Sequence, residues 1–164
     1  MKEPKVEVSF EKRKELEKIL GADHVSYCYQ CGACVGDCPS ARFYKGFNPR
    51  EIMLKCLIGD IDDLIAENSI IWKCSNCYNC YERCPQDVRP VEVIIALKNL
   101  AVQNETSPKE IVEVSKRIRE TGYSVPIVST TDRMRKEMNL PPIKKIDTTE
   151  IKKILEPENG TEKK

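Results

Sequence analysis

A pattern of four cysteines and a proline, C-x2-C-x2-C-x3-C-P, occurs twice and constrains the fold more than any other feature. The first run is CYQCGACVGDCP, residues 28–39, and the second is CSNCYNCYERCP, residues 74–85. Only one of the nine cysteines lies outside these two runs. Clustered thiols in a reducing compartment bind metal or perform redox chemistry more often than they form structural disulfides. The sequence therefore predicts a fold organised around bound metal.

The spacing within each run favours iron–sulfur clusters over zinc. Three cysteines at intervals of three can each reach a different iron on one face of a small cube. The fourth precedes a proline, which favours an extended conformation and directs it away from the loop. In two-cluster ferredoxins with this run, the fourth cysteine ligates the other cluster. Zinc, the alternative, needs two cysteine pairs but neither the third evenly spaced thiol nor the proline.

We therefore expect two [4Fe–4S] clusters with exchanged fourth ligands. The expected ligands are Cys28, Cys31, Cys34 and Cys84 for the first cluster, and Cys74, Cys77, Cys80 and Cys38 for the second. The ninth cysteine, Cys56, is expected to pack in a helix with Ile52 and Met53. The single histidine, His24, is expected to cap a helix or lie on the surface.

The two runs differ where backbone conformation matters. The first run has Gly32 and Gly36 where the second has Tyr78 and Glu82. Glycine lets backbone N–H groups approach sulfur, and such hydrogen bonds raise the reduction potential of a cluster. The sequence thus predicts unequal potentials for the two clusters.

Composition and charge exclude several classes of function. The formal net charge is +1, from 27 Lys plus Arg and 26 Asp plus Glu, so no basic field favours nucleic acid. No apolar run approaches the roughly 18 residues of a membrane span. The first residues are charged, unlike a secretory signal. We expect a soluble, cytoplasmic protein.

No catalytic motif accompanies the cysteines. The chain lacks a G-x-G-x-x-G or P-loop pattern and has one histidine, so it has no Ser/His/Asp set. It is expected to pass electrons between partners without a substrate-converting site of its own.

Helical punctuation predicts a mostly α fold in three parts: an N-terminal helical arm at 1–23, a two-cluster domain at 24–104 and a C-terminal arm at 105–164. In the first arm, Ser9 is expected to start a helix that Gly21 ends, with Phe10, Leu16, Ile19 and Leu20 making apolar contacts.

Between and after the runs, two longer helices are expected. One is capped by Asn48 and stopped by Gly59, and a second short helix follows it in DIDDLIAEN. Another begins at Pro90 and is apolar around most of its circumference.

The C-terminal arm is expected to dock on a partner, because its apolar residues are too few for a core; the alternative is a partly mobile tail. A capping box at Ser107, with Pro108 in the first turn, predicts a helix that Gly122 ends. An extended segment, a weak helix at 131–140 and a short helix at 147–155 follow, and a frayed tail is expected after them.

The stretches CYQCGACVGDCP, GFNPREIMLKCLIGD and IWKCSNCYNCYERCPQDV closely resemble the C subunit of the soluble heterodisulfide reductase of methanogenic archaea. The resemblance is specific over about residues 24–104. It implies an α-helical ferredoxin fold with two [4Fe–4S] clusters.

The same resemblance implies a role within an oxidoreductase complex. The family passes electrons from the flavin-containing iron–sulfur subunit of the reductase to its catalytic subunit. The catalytic subunit reduces the heterodisulfide of coenzyme M and coenzyme B in methanogenesis. A hydrogenase or formate dehydrogenase would feed the flavin-containing subunit.

Two related interpretations stay open beside this one. The iron–sulfur subunit of a fumarate or succinate oxidoreductase shares the helical domain, but it carries a [2Fe–2S] domain in front, and only 27 residues precede Cys28. A similar electron carrier could also serve another disulfide or organic-acid oxidoreductase.

Overall fold

A computed structural model describes residues 8–155 and confirms the mostly α-helical fold. No strand occurs in this range. The chain divides into two compact units, and the division falls between Ser107 and Pro108. The predicted three-part boundaries stay a prediction.

The first unit holds both cysteine runs and, over residues 8–107, six α-helices. These are α1 (Phe10–Glu17), α2 (Ala33–Gly36), α3 (Pro39–Phe43), α4 (Pro49–Ile58), α5 (Asn79–Glu82) and α6 (Pro90–Gln103). Short 3-10 helices lie at Val25–Tyr27, Asp62–Leu64 and Ile70–Lys73. The second short helix predicted in DIDDLIAEN is therefore a single 3-10 turn.

The two runs sit in equivalent local structure. Val25 and Ile71 each lie three residues before the first cysteine of a run, and both are fully buried. Their carbonyls accept hydrogen bonds from the N–H groups of Cys28 and Cys74, each at 3.1 Å. A short helix follows within each run and a longer one after it. The chain thus repeats one structural motif around its two cysteine runs.

The caps of α4 are as predicted. The side chain of Asn48 accepts from the backbone N–H groups of Arg50 and Glu51, and Pro49 opens the helix. Gly59 ends it with φ of 76°, a left-handed conformation that suits glycine. The predicted start of α6 at Pro90 is also confirmed.

The core of this unit is built from side chains of α1, α4, α6 and the segments before the cysteine runs. Its fully buried side chains include Leu16, Val25, Met53, Cys56, Ile71, Val88, Ile94 and Leu97. Because α6 contributes buried residues on several sides, its wide apolar surface is covered, as the sequence predicts.

The predicted end of α1 at Gly21 is wrong. Ser9 caps the helix as expected, but the helix stops at Glu17. The N–H groups of Lys18 and Ile19 bond to carbonyls three residues back, which tightens the last turn. Gly21 instead has φ of 91° and lies against Glu92, where a Cβ atom on residue 21 would be only 3.0 Å from Glu92 Cβ. Glycine fits both this backbone conformation and this close contact.

Two of the apolar contacts predicted for the N-terminal arm are also wrong. Leu16 is buried and Ile19 packs partly against the core, but Phe10 and Leu20 are exposed. Leu20 lies beyond the helix, so helical periodicity does not describe its position.

The second unit contains α7 (Lys109–Thr121), α8 (Ser129–Glu137) and α9 (Thr149–Leu155). Gly122 ends α7 as predicted, with φ of 76°. The capping box is wrong, because Pro108 occupies the capping position and makes no side-chain bond. The predicted extended stretch, which runs into Ser129 and Thr130, lies outside any strand, and α8 starts at Ser129. The expected frayed tail, from residue 156, lies outside the described residues.

Candidate metal centres

The cysteines of the first run lie near Cys84 of the second. Cys28, Cys34 and Cys84 are partly buried, and Cys31 is exposed. Burial raises the pKa of the Cys34 thiol to about 11, and the neighbouring thiols of Cys28, Cys31 and Cys84 act in the same direction. The fourth cysteine of the second run is therefore close enough to Cys34 to influence its ionisation.

The cysteines of the second run share a small cavity with Cys38 of the first. Its lining includes Cys38, Cys74, Cys77 and Cys80, with apolar walls from Phe47, Pro49, Val91 and Ile94. Burial raises the pKa of the Cys80 thiol to about 12, and Cys74, Cys34 and Cys38 act in the same direction. Burial also raises the pKa of Cys74.

Three polar contacts join the two runs. The N–H of Ser75 donates to Ser40 Oγ at 3.3 Å, and Asn79 Nδ2 donates to the Asp37 carbonyl at 3.1 Å. Arg83 Nε lies 2.7 Å from Asp37 Oδ2. These contacts flank Cys38 in sequence, so they hold it beside the second run.

The sulfur atoms of Cys28 and Cys84 each accept a hydrogen bond. Gln30 Nε2 donates to Cys28 Sγ and the backbone N–H of Val88 donates to Cys84 Sγ, each at 3.4 Å. Hydrogen bonds to cysteine sulfur are one determinant of the potential of an iron–sulfur cluster. Sequence reasoning missed both donors, because neither residue type is diagnostic at these positions.

Both loops need left-handed backbone at equivalent positions. Gln30 and Asn76 have φ of 62° and 52°, and Gly32 and Tyr78 have φ of 84° and 64°. Tyrosine in this conformation is strained by about 1–2 kcal/mol. The loop conformation is therefore kept in the second run even where the residue type opposes it, which is typical of a functional constraint.

Cys56 and His24 lie outside the two runs in the sequence. Cys56 is fully buried in the core among residues that include Ile52 and Met53, as predicted, and burial raises its pKa to about 12. His24 is partly exposed, and its Nδ1 donates to the Asp87 carbonyl at 3.0 Å. It occupies the capping position of the 3-10 helix at Val25–Tyr27, but its side chain makes no capping bond.

The donor set fits iron–sulfur clusters. All nine cysteines are free thiols, and soft thiolates are the ligands that such clusters take. Within residues 8–155, no three Cys, His, Asp or Glu side chains surround one point closely enough for a single ion. An iron–sulfur cubane does not need side chains that converge on one ion, because each thiolate ligates a separate iron.

The helical fold and the doubled run define a two-cluster iron–sulfur protein. A family model described as a 4Fe-4S dicluster domain matches residues 24–88. This confirms the predicted cofactors, two [4Fe–4S] clusters.

Comparison with known proteins then identifies the family. The C2 subunit of the H2/formate:CoB-CoM heterodisulfide,ferredoxin reductase of Methanococcus maripaludis is 38% identical over 69% of this chain and 60% of its own length. The iron-sulfur C subunit of the CoB–CoM heterodisulfide reductase of Methanopyrus kandleri is 38% identical over 77% of this chain and 63% of its own. The C subunit of the ferredoxin:CoB-CoM heterodisulfide reductase of Methanosarcina mazei is 35% identical over 79% of this chain and 80% of its own length.

The chain therefore belongs to the family of heterodisulfide reductase C subunits. It spans less than two thirds of the first two relatives. Within residues 8–155, no helix has the length and apolar character needed to cross a bilayer.

Proposed function

We propose that this chain is the electron-transfer subunit of a cytoplasmic heterodisulfide reductase complex. It takes single electrons from the flavin-containing subunit and delivers them to the catalytic subunit, which reduces the coenzyme M–coenzyme B heterodisulfide in methanogenesis. Family membership supports this role, and the paired cysteine runs in one helical unit are the observation that carries it. The chain has no substrate-converting site of its own in this scheme.

The proposed ligands follow the exchanged assignment. The first cluster is held by Cys28, Cys31, Cys34 and Cys84, and the second by Cys74, Cys77, Cys80 and Cys38. The cavity that Cys38 shares with three cysteines of the second run supports this pairing. The proximity of Cys84 to Cys34 supports the reciprocal pairing.

When bound, the two clusters supply one-electron oxidation and reduction, whereas reducing a disulfide to two thiols takes two electrons and two protons. Each heterodisulfide therefore requires two electrons to pass through this chain in succession. The protein residues hold the clusters and exclude water, with the apolar walls of Phe47, Val91 and Ile94 lowering the local dielectric on one side. The protons are taken up at the catalytic subunit.

The primary electron donor lies outside this chain. The names of the relatives include different donors, H2 or formate in M. maripaludis and ferredoxin in M. mazei, at similar identity to this chain. A carrier that receives electrons from the flavin-containing subunit fits this variation, because a hydrogenase or formate dehydrogenase would act on that subunit.

We keep the predicted domains at 1–23, 24–104 and 105–164, and we propose that the last of them docks on the catalytic subunit. The second unit, from Pro108, makes up most of this arm. No residue from 108 to 155 is buried. Exposed apolar side chains nevertheless recur along it, including Val112, Met134, Met138 and Ile154. Helices with apolar side chains and no core of their own are stabilised by packing on another surface.

Purification of the tagged chain from its native organism tests the proposal. We expect a brown protein with about eight irons and eight sulfides per chain, bound to a flavoprotein and to the heterodisulfide-reducing subunit. Little iron with stoichiometric zinc would contradict the cluster assignment. Bound chains of another oxidoreductase would contradict the role in heterodisulfide reduction while leaving the clusters intact.

A further inference from the structure

Lys98 on α6 is fixed against the second cysteine run. Its Nζ donates to the Cys74 carbonyl at 3.2 Å and to Asn76 Oδ1 at 3.0 Å. The same ammonium lies 5.7 Å from the centroid of the Trp72 ring, which is within cation–π range. Three contacts therefore hold one positive charge beside the loop that begins at Cys74.

This charge has no carboxylate partner within residues 8–155. Lys98 also lies close enough to the Cys74 thiol for the two groups to interact electrostatically. A half-buried ammonium is costly without a counter-charge. Once Cys74 is a thiolate ligand, its sulfur supplies a negative charge close to Lys98.

We propose that Lys98 is a positioning and tuning residue for the second cluster, whose reduction potential it raises by holding a positive charge at the loop of Cys74 and Asn76. The inference rests on the proposed function, because it takes Cys74, Cys77, Cys80 and Cys38 as ligands. One-electron reduction adds a negative charge to a site that four thiolates already make anionic. A fixed cation nearby stabilises the reduced form more than the oxidised form.

We expect the effect of Lys98 to be confined to the second cluster, because its contacts are with the second run. The helices α4 and α6 begin at Pro49 and Pro90. Lys98 is the eighth residue after Pro90, and the eighth residue after Pro49 is Leu57. Leu57 is apolar, so it supplies no charge at the position that corresponds to Lys98. Net charge is a determinant of cluster potential, and the charge at this one position differs between the two repeats.

Redox titration of the full-length holoprotein, followed by electron paramagnetic resonance, tests the proposal. Lys98→Met removes the charge with little change in length, and Lys98→Arg keeps it. Lys55→Met is the matched control, because Lys55 is a half-exposed lysine on α4 that pairs with Asp63 at 3.1 Å. The signal lost in Cys77→Ala identifies the second cluster.

We expect Lys98→Met to shift the midpoint potential of the second cluster to more negative values and to leave the first unchanged. Lys98→Arg and Lys55→Met should both titrate like the original protein. If Lys98→Met has full iron and sulfide content and unchanged potentials, the role of Lys98 is overturned, but the proposed function is not. If Lys98→Met does not load clusters, Lys98→Gln keeps a hydrogen-bond donor without the charge, and unchanged potentials there would overturn that role equally. An original protein without two clusters would instead overturn the proposed function.

Discussion

Asp37 and Arg83 occupy the same position in the two cysteine runs, one residue before the fourth cysteine, and their side chains form an ion pair at 2.7 Å. Equivalent residues of a repeat meet when the two copies face each other about an approximate two-fold axis. The contact between α2 and α5, the equivalent short helices, agrees with this arrangement. It supports the exchange of Cys38 and Cys84, because each follows a member of the pair.

Reversing one charge of this pair should weaken the contact between the runs. Asp37→Arg places like charges together, and the clusters should be lost faster to an iron chelator, as followed by visible absorbance. The double variant Asp37→Arg, Arg83→Asp should restore the original rate. Since both side chains are substantially exposed, we expect a coupling of about 0.2–1 kcal/mol. A double variant as labile as the single one would argue against the pair.

Removing a fourth ligand should damage the cluster of the other run. We expect Cys38→Ala to lose the same electron paramagnetic resonance signal as Cys77→Ala, and Cys84→Ala to lose the same signal as Cys31→Ala. Cys56→Ala serves as the control, because Cys56 is buried in the core and should leave both signals intact. If Cys38→Ala instead matched Cys31→Ala, each run would hold its own cluster.

Much of this architecture could be predicted because it depends on local signals. Asn48, Pro49 and Gly59 mark the ends of α4 through capping and backbone conformation, which short sequence patterns report directly. The cysteine spacing likewise indicates the cofactor. The end of α1 depends on tertiary packing, since Gly21 is positioned by Glu92, 71 residues away.

The polar surroundings of the cysteines could not be predicted for the same reason. Lys98 lies 24 residues beyond Cys74, and nothing in its helix distinguishes it from a solvated lysine. The hydrogen bond from Val88 to Cys84 depends on how the chain turns after the second run. Such contacts follow from the fold and have no spacing of their own in the sequence.

Gly59 should be intolerant of any side chain. It has φ of 76°, and a Cβ atom there would overlap the carbonyl oxygen of Ser9. We expect Gly59→Ala to lower stability by at least about 1 kcal/mol, since both the conformation and the contact oppose alanine. Thermal unfolding followed by circular dichroism would measure the change. Gly36→Ala is the control, because a Cβ atom there meets nothing within 4 Å.

The start of α9 should depend on pH through Asp147. Its carboxylate accepts from the N–H of Thr149 at 3.0 Å and from Thr149 Oγ1 at 2.6 Å, and these bonds hold the pKa of Asp147 below its usual value. A lowered pKa in the folded state means that the contribution is fully present above the ordinary Asp pKa of about 3.9. It is lost as pH falls through the lowered value.

An NMR titration of the Asp147 carboxyl would measure this. Thr149→Val removes the hydroxyl donor, and the pKa of Asp147 should move towards its ordinary value. Thr148→Val changes the neighbouring residue without removing either hydrogen bond and should leave the pKa unchanged. Equal pKa values in the original protein and in Thr149→Val would contradict the role of the hydroxyl.

Charges placed on the apolar side chains of the second unit should block assembly without affecting the clusters. Val112 on α7 and Ile154 on α9 are exposed, and neither contributes to a core. We expect Val112→Asp with Ile154→Asp to abolish co-purification with the catalytic subunit while iron content stays the same, because an interface core does not accommodate unpaired carboxylates. Lys116→Asp changes an exposed polar position of α7 and should bind normally.

Deletion of residues 123–164 provides the stronger test, since complex assembly that survives this truncation would mean that the arm is not the docking element.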